Sequence, residues 1–282
     1  MSEELSNFEA EMLVTLPQPP QFATARTNEL LIVECLGPDE RKTGHELWQW
    51  AESKRVGWAK YHLCSDKTEL FDLLARVSDG ALNSVRFPIL HLEAHGDADG
   101  LYWTEFSGPS VRWEELTGHL QVLNEAIKCN LMIAVSACIG IAGMKAISMG
   151  PRAPAIAIIG PCSNAMPSQL LAGFKEFYRR LMRGDGMLHE FAASASNEVG
   201  DVSFAVQPLT VLAWETFMSK LVVETRPWRK TSGGVLPNRR HARRLTKIFE
   251  EMWAEMFMFD LFPENAGRFQ LDIRRAVTEL TT

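Results

Sequence analysis

Four short apolar runs constrain this chain more than any other feature: ELLIVECLG (29–37), FPILHLEAH (87–95), NLMIAVSAC (130–138) and APAIAIIG (153–160). Each is dense in aliphatic residues, lacks the polar–apolar alternation of a half-exposed strand, and is too short to be a helix of ordinary length. A strand that is apolar on both faces must be covered on both faces, which is the situation inside a parallel sheet flanked by helices. Two further runs, VGWAKYHLC (56–64) and VSFAVQPL (202–209), bring the expected strands to six. Helical patterns fall between them, at GHELWQWAES (44–53), DKTELFDLLARVS (66–78, opened by an Asp cap), SVRWEELTGHLQVLNEAI (110–127), PSQLLAGFKEFYRRLMRG (167–184) and GMLHEFAASASNEV (186–199). The expectation is an α/β domain over residues 28–210 that displays its functional groups at the carboxyl ends of its strands.

The flanking regions differ in kind. Residues 1–27 contain LPQPPQ and read as an extended lead-in arm. Residues 211–282 read as a helical extension interrupted by a basic segment, 226–247. That segment carries one aromatic, Trp228, and the whole chain has a formal net charge of −6. A solvated loop or a dock for an acidic partner therefore fits better than a nucleic-acid surface, and no field draws the chain to an anionic membrane. The helix at 248–282 begins with IFEEMWAEMFMFDLF, most of which should pack on the core.

The start, MSEELSNFEAEML, lacks the basic and apolar regions of a signal peptide, and no apolar run approaches the ~20 residues of a spanning helix. Five cysteines (35, 64, 129, 138, 162) without close pairs suggest a reducing, cytoplasmic setting rather than a disulfide framework, and the scattered Cys and His residues give no reason to expect a metal or other cofactor. Cys35, Cys64, Cys129 and Cys162 read as small hydrophobes, Cys162 also falling in a loop at the rim of the expected cleft.

Two strand ends carry reactive side chains. His95 closes the third run and is followed by Gly96; Cys138 closes the fourth and is followed by Ile139-Gly140. Brought to one sheet edge, an imidazole and a thiol can attack a carbonyl together. A glycine after the histidine lets the backbone N–H of Gly96 approach a bound carbonyl oxygen, and with the N–H of Cys138 it would form an oxyanion hole. His91, on the same strand face but deeper, reads as a satisfied core histidine. Cys138 also has a plainer reading, as a packed residue of a buried strand.

HLEAHGDADGL and VSACIG resemble the His-Gly and cysteine boxes of the caspase-like (clan CD) cysteine peptidases, and APAIAIIGPCSNAMPSQLLAGFKEFYRRLMRG is similar to the bacterial CHAT-type branch of that family. The resemblance spans most of residues 29–206, with 43 residues from His95 to Cys138 against about 50 in caspases. The chain departs from the caspase signature Gln-Ala-Cys-x-Gly in having Ser136 in place of the glutamine. The resemblance implies a caspase-hemoglobinase fold, with a mostly parallel six-stranded sheet. It makes Cys138 the nucleophile and His95 the general acid–base, with Gly96 and Cys138 at the oxyanion. Glu93 shares a strand face with His95 and is a candidate to orient it. Ser136, Asp97, Cys162, Ser163 and Asn164 would contact substrate, which would lie as an extended strand beside the loop after Gly160. Asp97 and Asp99 would suit a basic substrate side chain; Arg41 and Lys42 would suit an acidic one.

By the same resemblance the chain would be an effector in bacterial defence or cell death, controlled by a protein partner. The short link IGIAGMKAISMGPR implies no obligatory cut between 139 and 154, and RPWRKTSGGVLPNRR (226–240) is the better candidate for self-cleavage. A catalytically silent caspase-like scaffold is the rival reading. A nucleotide-binding module is disfavoured, because no Gly-rich phosphate loop follows the first strand.

Overall fold

Strand β1 (Glu29–Glu34) is solvent-free from Leu30 onward, and both of its edges are hydrogen-bonded. It is the template of the fold in a computed structural model that describes residues 26–82, 86–104, 107–146, 152–184, 186–217, 219 and 239–269. After β1 come α1 (Thr43–Lys54), β2 (Ala59–Leu63), α2 (Lys67–Leu82) and β3 (Pro88–Glu93). A small meander of β4 (His95–Gly96), β5 (Gly100–Thr104) and β6 (Ser107–Arg112) leads into α3 (Trp113–Ala126) and β7 (Met132–Ser136). A 3-10 turn (Gly140–Ala146), β8 (Ala157–Pro161), α4 (Pro167–Arg183), α5 (Leu188–Val199) and β9 (Phe204–Pro208) complete the α/β body.

The six runs expected as strands form one sheet in the order β2-β1-β3-β7-β8-β9, parallel throughout except for β9, which runs antiparallel to β8. Residues on one face of β1 and β3, such as Ile32 and His91, meet α1 and α4; on the opposite face Val135 of β7 packs with Trp113 of α3. Helices therefore cover both sides, as strands apolar on both faces require.

The meander corrects one expectation. Residues 110–112 do not open the helix expected over 110–127 but form the end of β6, and α3 starts at Trp113. Glu115 reaches back to the N–H of Arg112 at 2.8 Å and fixes that boundary. Gly100 makes the meander possible: a Cβ there would lie 2.3 Å from the Val111 carbonyl oxygen.

Beyond β9, a helix over 209–217 (α6), α7 (Arg239–Met256) and α8 (Asn265–Arg268) join the same core. Phe217 stacks on Phe249 with ring centroids 3.9 Å apart, and the Ala153 N–H donates to the Met256 carbonyl at 3.0 Å. The Arg268 guanidinium donates to the carbonyls of Lys128 and Cys129 and to Asn130 Oδ1, fastening α8 to the turn before β7. Because α7 begins at Arg239, residues 239–247 of the basic segment are helical rather than loop. The rest of it, the arm 1–25 and the cleavage candidates at 226–238 lie outside the described residues.

A polar strip runs through the α1/α4 face. Glu34 Oε1 accepts from the Gly44 N–H at 3.0 Å, and its Oε2 from the Tyr61 hydroxyl at 2.5 Å. Glu93 Oε1 accepts from Thr43 Oγ1 at 2.7 Å, while His91 bridges Glu93 at 3.1 Å and the Tyr178 hydroxyl at 2.9 Å. Burial pushes the Glu34 carboxyl above its usual 4.5; the bonds from Tyr61 and Gly44 oppose this, and the charge of Glu93 adds to it. The folded state thus holds that proton more tightly than the unfolded chain. The stability this confers is complete below 4.5 and is lost as pH rises through the folded value. Glu34→Gln removes the effect, so across that window the variant should gain on the wild type by up to ~1.4 kcal/mol per pH unit. Urea unfolding over a pH series measures the difference.

Candidate active site

The register of the parallel ladder decides where the histidine and cysteine go. Glu93 of β3 lies opposite Ser136 of β7, and the Ala94 N–H still donates to the Ser136 carbonyl at 3.2 Å. The next residues, His95 and Cys138, therefore leave the sheet side by side at its carboxyl edge. Gly96 lies tight against the cysteine segment: a Cβ on it would lie 2.8 Å from Ala137 Cβ and 3.3 Å from the Cys138 carbonyl oxygen. Since the Asp97 N–H donates to Gly100 across the β4–β5 ladder, the antiparallel alternation turns the N–H of Gly96 away from β5.

Neither reactive side chain is sealed. The His95 side chain is 32% exposed, and Cys138 is half-buried. The loop after β8 forms a rim over the cysteine. Cys138 Sγ lies 3.7 Å from the Ala165 carbonyl, and the Ile139 N–H donates to the Ser163 carbonyl at 3.1 Å. Cys162, Ser163 and Asn164 are exposed along this rim. No hydrogen bond joins His95 to Cys138 among the described residues.

The carboxylate on the imidazole is Glu40, not Glu93. His95 Nε2–H donates to Glu40 Oε2 at 2.8 Å. Glu40 sits after β1, where its N–H closes a turn onto the Gly37 carbonyl, and Lys42 Nζ holds the loop by donating to the carbonyls of Leu36 and Gly37. Glu93 fails as the orienting group because β3 keeps it inside the sheet: it is 4% exposed, with its oxygens committed to Thr43 and His91. His91 is a core histidine with both ring nitrogens bonded. No motif marks Glu40 in the sequence. Its only signal is an acidic residue in the loop at the carboxyl end of the strand next to β3.

Three further expectations change. Ser136 is fully buried, its hydroxyl without a hydrogen-bond partner, so it does not line an open substrate pocket. Asp97 serves the meander. Burial acts to raise its carboxyl, but the N–H of Asp99, the Tyr102 hydroxyl and the N–H of Gly100 outweigh that and bring it below the usual carboxylate range. Arg41 is forked onto Glu46 and Lys42 onto the loop carbonyls, so neither stands free for an acidic substrate. Among the other thiols, Cys35, Cys64 and Cys129 are buried, and burial pushes Cys129 up to about 12. Cys162 is exposed, not a core hydrophobe.

In comparisons with known proteins, no family model and no curated protein matches this chain. Among the described residues no helix is long and apolar enough to cross a membrane.

With Nε2–H given to Glu40, Nδ1 is the ring nitrogen left with a lone pair. Long-range 1H–15N correlations should show His95 as a single Nε2–H tautomer when neutral, and as a tautomer mixture in Glu40→Ala. Close packing holds the cysteine turn as well: a Cβ on Gly140 would lie 2.4 Å from the Val135 carbonyl oxygen and 2.9 Å from Pro161 Cδ. Gly140→Ala should cost ~1–3 kcal/mol, seen as a lower urea midpoint at unchanged slope.

Proposed function

We propose that the chain is a cysteine endopeptidase of caspase-like fold in which Cys138 attacks and His95, steered by Glu40, moves the proton. The observation that carries this reading is the emergence of His95 and Cys138 from adjacent parallel strands at one open edge, with a glycine between them. The sulfur adds to the scissile carbonyl carbon. The developing oxyanion is met by the N–H groups of Gly96 and Cys138, and the imidazolium protonates the departing amine. Water, activated by the same imidazole, then breaks the thioester and frees the enzyme. Glu40 fixes the tautomer and offsets the positive charge that forms on the ring. Substrate backbone would settle along the rim at 162–166, where Ser163 and Asn164 are open to it.

The sheet order, the His-Gly and cysteine boxes and the antiparallel last strand support the caspase-like assignment. A cytoplasmic defence or cell-death effector under the control of a protein partner is the role this resemblance suggests. The resting contacts favour such control: the thiol leans on the Ala165 carbonyl and the imidazole on Glu40, so the two must be brought into register before they act together. The same contacts leave room for a silent scaffold that binds a partner and cuts nothing.

Cleavage of an unbiased peptide library tests the assignment. Cys138→Ala and His95→Ala should bring cleavage to background. Glu40→Ala should lower kcat ~10²-fold with a smaller change in KM. A thiol-reactive peptide probe that never labels Cys138, with or without cell extract, would favour the scaffold.

A further inference from the structure

A second pair of thiols lies outside the candidate active site. Cys35 is the first residue after β1 and Cys64 the first after β2, and the ladder that pairs Glu34 with Leu63 runs on into them, the Cys64 N–H donating to the Glu34 carbonyl at 2.9 Å. Register partners on adjacent parallel strands point to the same face. Their strands are separated by ~4.8 Å, inside the ~4.4–6.8 Å between Cα atoms that a disulfide spans. Each thiol is the largest single influence on the acidity of the other. Both are almost fully buried, at 1% and 3% exposure, yet a polar cavity of ≈ 310 Å³ is lined by Cys64 together with Glu69, Asp72 and Arg76. Adjacent in-register thiols bordered by a small polar cavity are the arrangement of an attacking and a resolving cysteine.

We propose that Cys35 and Cys64 form a redox pair that hydrogen peroxide converts to a disulfide. In the first step the Cys64 sulfur attacks one peroxide oxygen; an S–O bond forms, the O–O bond breaks, and the departing hydroxide takes up the thiol proton as water. In the second, the Cys35 sulfur attacks the sulfenic sulfur; the S–S bond forms, the S–O bond breaks, and the hydroxyl leaves with the Cys35 proton as a second water. Two thiols are oxidised and one peroxide is reduced to two waters. The roles follow from the surroundings. The neighbouring Cys35 thiol lowers the Cys64 thiol; burial opposes this, as do Glu69 and Asp66, while the Arg76 charge assists it. The neighbouring Cys64 thiol, burial and the nearby Glu34 and Glu93 all raise Cys35. Cys64, the thiol of the pair that lines the cavity, is the first to attack and Cys35 the resolver.

Peptide mapping of the full chain after peroxide treatment under native conditions tests this. Trypsin places Cys35 in Thr27–Arg41 and Cys64 in Tyr61–Lys67. The expected result is a linked pair of these two peptides, lighter by two hydrogens than their sum, with loss of both free forms and recovery on treatment with dithiothreitol. In Cys35→Ser the sequence should stop one step earlier, and dimedone should label Cys64. The proposal is overturned if both peptides keep free thiols at peroxide levels that already oxidise the exposed Cys162, or if Cys64 pairs with a different cysteine. Because the readout is a covalent bond in a named pair of peptides, it stands whether or not the chain cleaves protein.

Discussion

The hydrogen-bond register linking β1, β3 and β7 sets the geometry of the candidate site. Parallel strands locked at Glu34, Glu93 and Ser136 end at one level, so the segments that follow them emerge as three neighbours along one edge. The first supplies a carboxylate at Glu40, the second an imidazole at His95, the third a thiol at Cys138. A slip of one residue in any of these pairings would turn that strand's side chains to the opposite face and break up the trio. In the observed register Leu30–Val33, Ile89–Leu92 and Met132–Val135 are buried together.

Immediately beneath that edge the core is polar. Two hydrogen-bonded groups, Thr43–Glu93–His91–Tyr178 and Gly44–Glu34–Tyr61, lie side by side between the sheet and the helices α1 and α4. A buried carboxylate costs several kcal/mol unless its oxygens are satisfied, and here each oxygen of Glu34 and of Glu93 has a partner. Two of those partners, Thr43 and Gly44, belong to the first turn of α1, immediately after the loop that carries Glu40. The strip thereby fixes where that loop ends.

The strands were readable in the sequence because each is apolar along its length, and their ends were readable because His-Gly and Cys-Ile-Gly interrupt the runs abruptly. What escaped detection depends on contacts distant in sequence. Glu40 is 55 residues from His95 and looks like any acidic loop residue until the sheet brings the two strands together. Glu93 was attractive for its spacing, which gives the correct strand face but no information on which partner wins; Thr43 and His91 do, from inside the core. The β5–β6 meander was hidden because SVR continues the pattern of the helix after it, and only the clash-free fit of Gly100 against Val111 reveals the chain reversal. Arg239–Lys247 read as loop because charge density masks the helical face of which Thr246 and Phe249 are the buried members.

Ile139 lies one residue beyond the thiol and adopts φ +52, a conformation that a β-branched side chain tolerates poorly, at a cost of ~1–2 kcal/mol. Its N–H is held by the Ser163 carbonyl, so the strained bend and the rim loop restrain each other. That hydrogen bond ties the backbone next to the sulfur to the loop after β8. Any displacement of the loop is therefore passed to the bend, which works as a small spring set against the thiol.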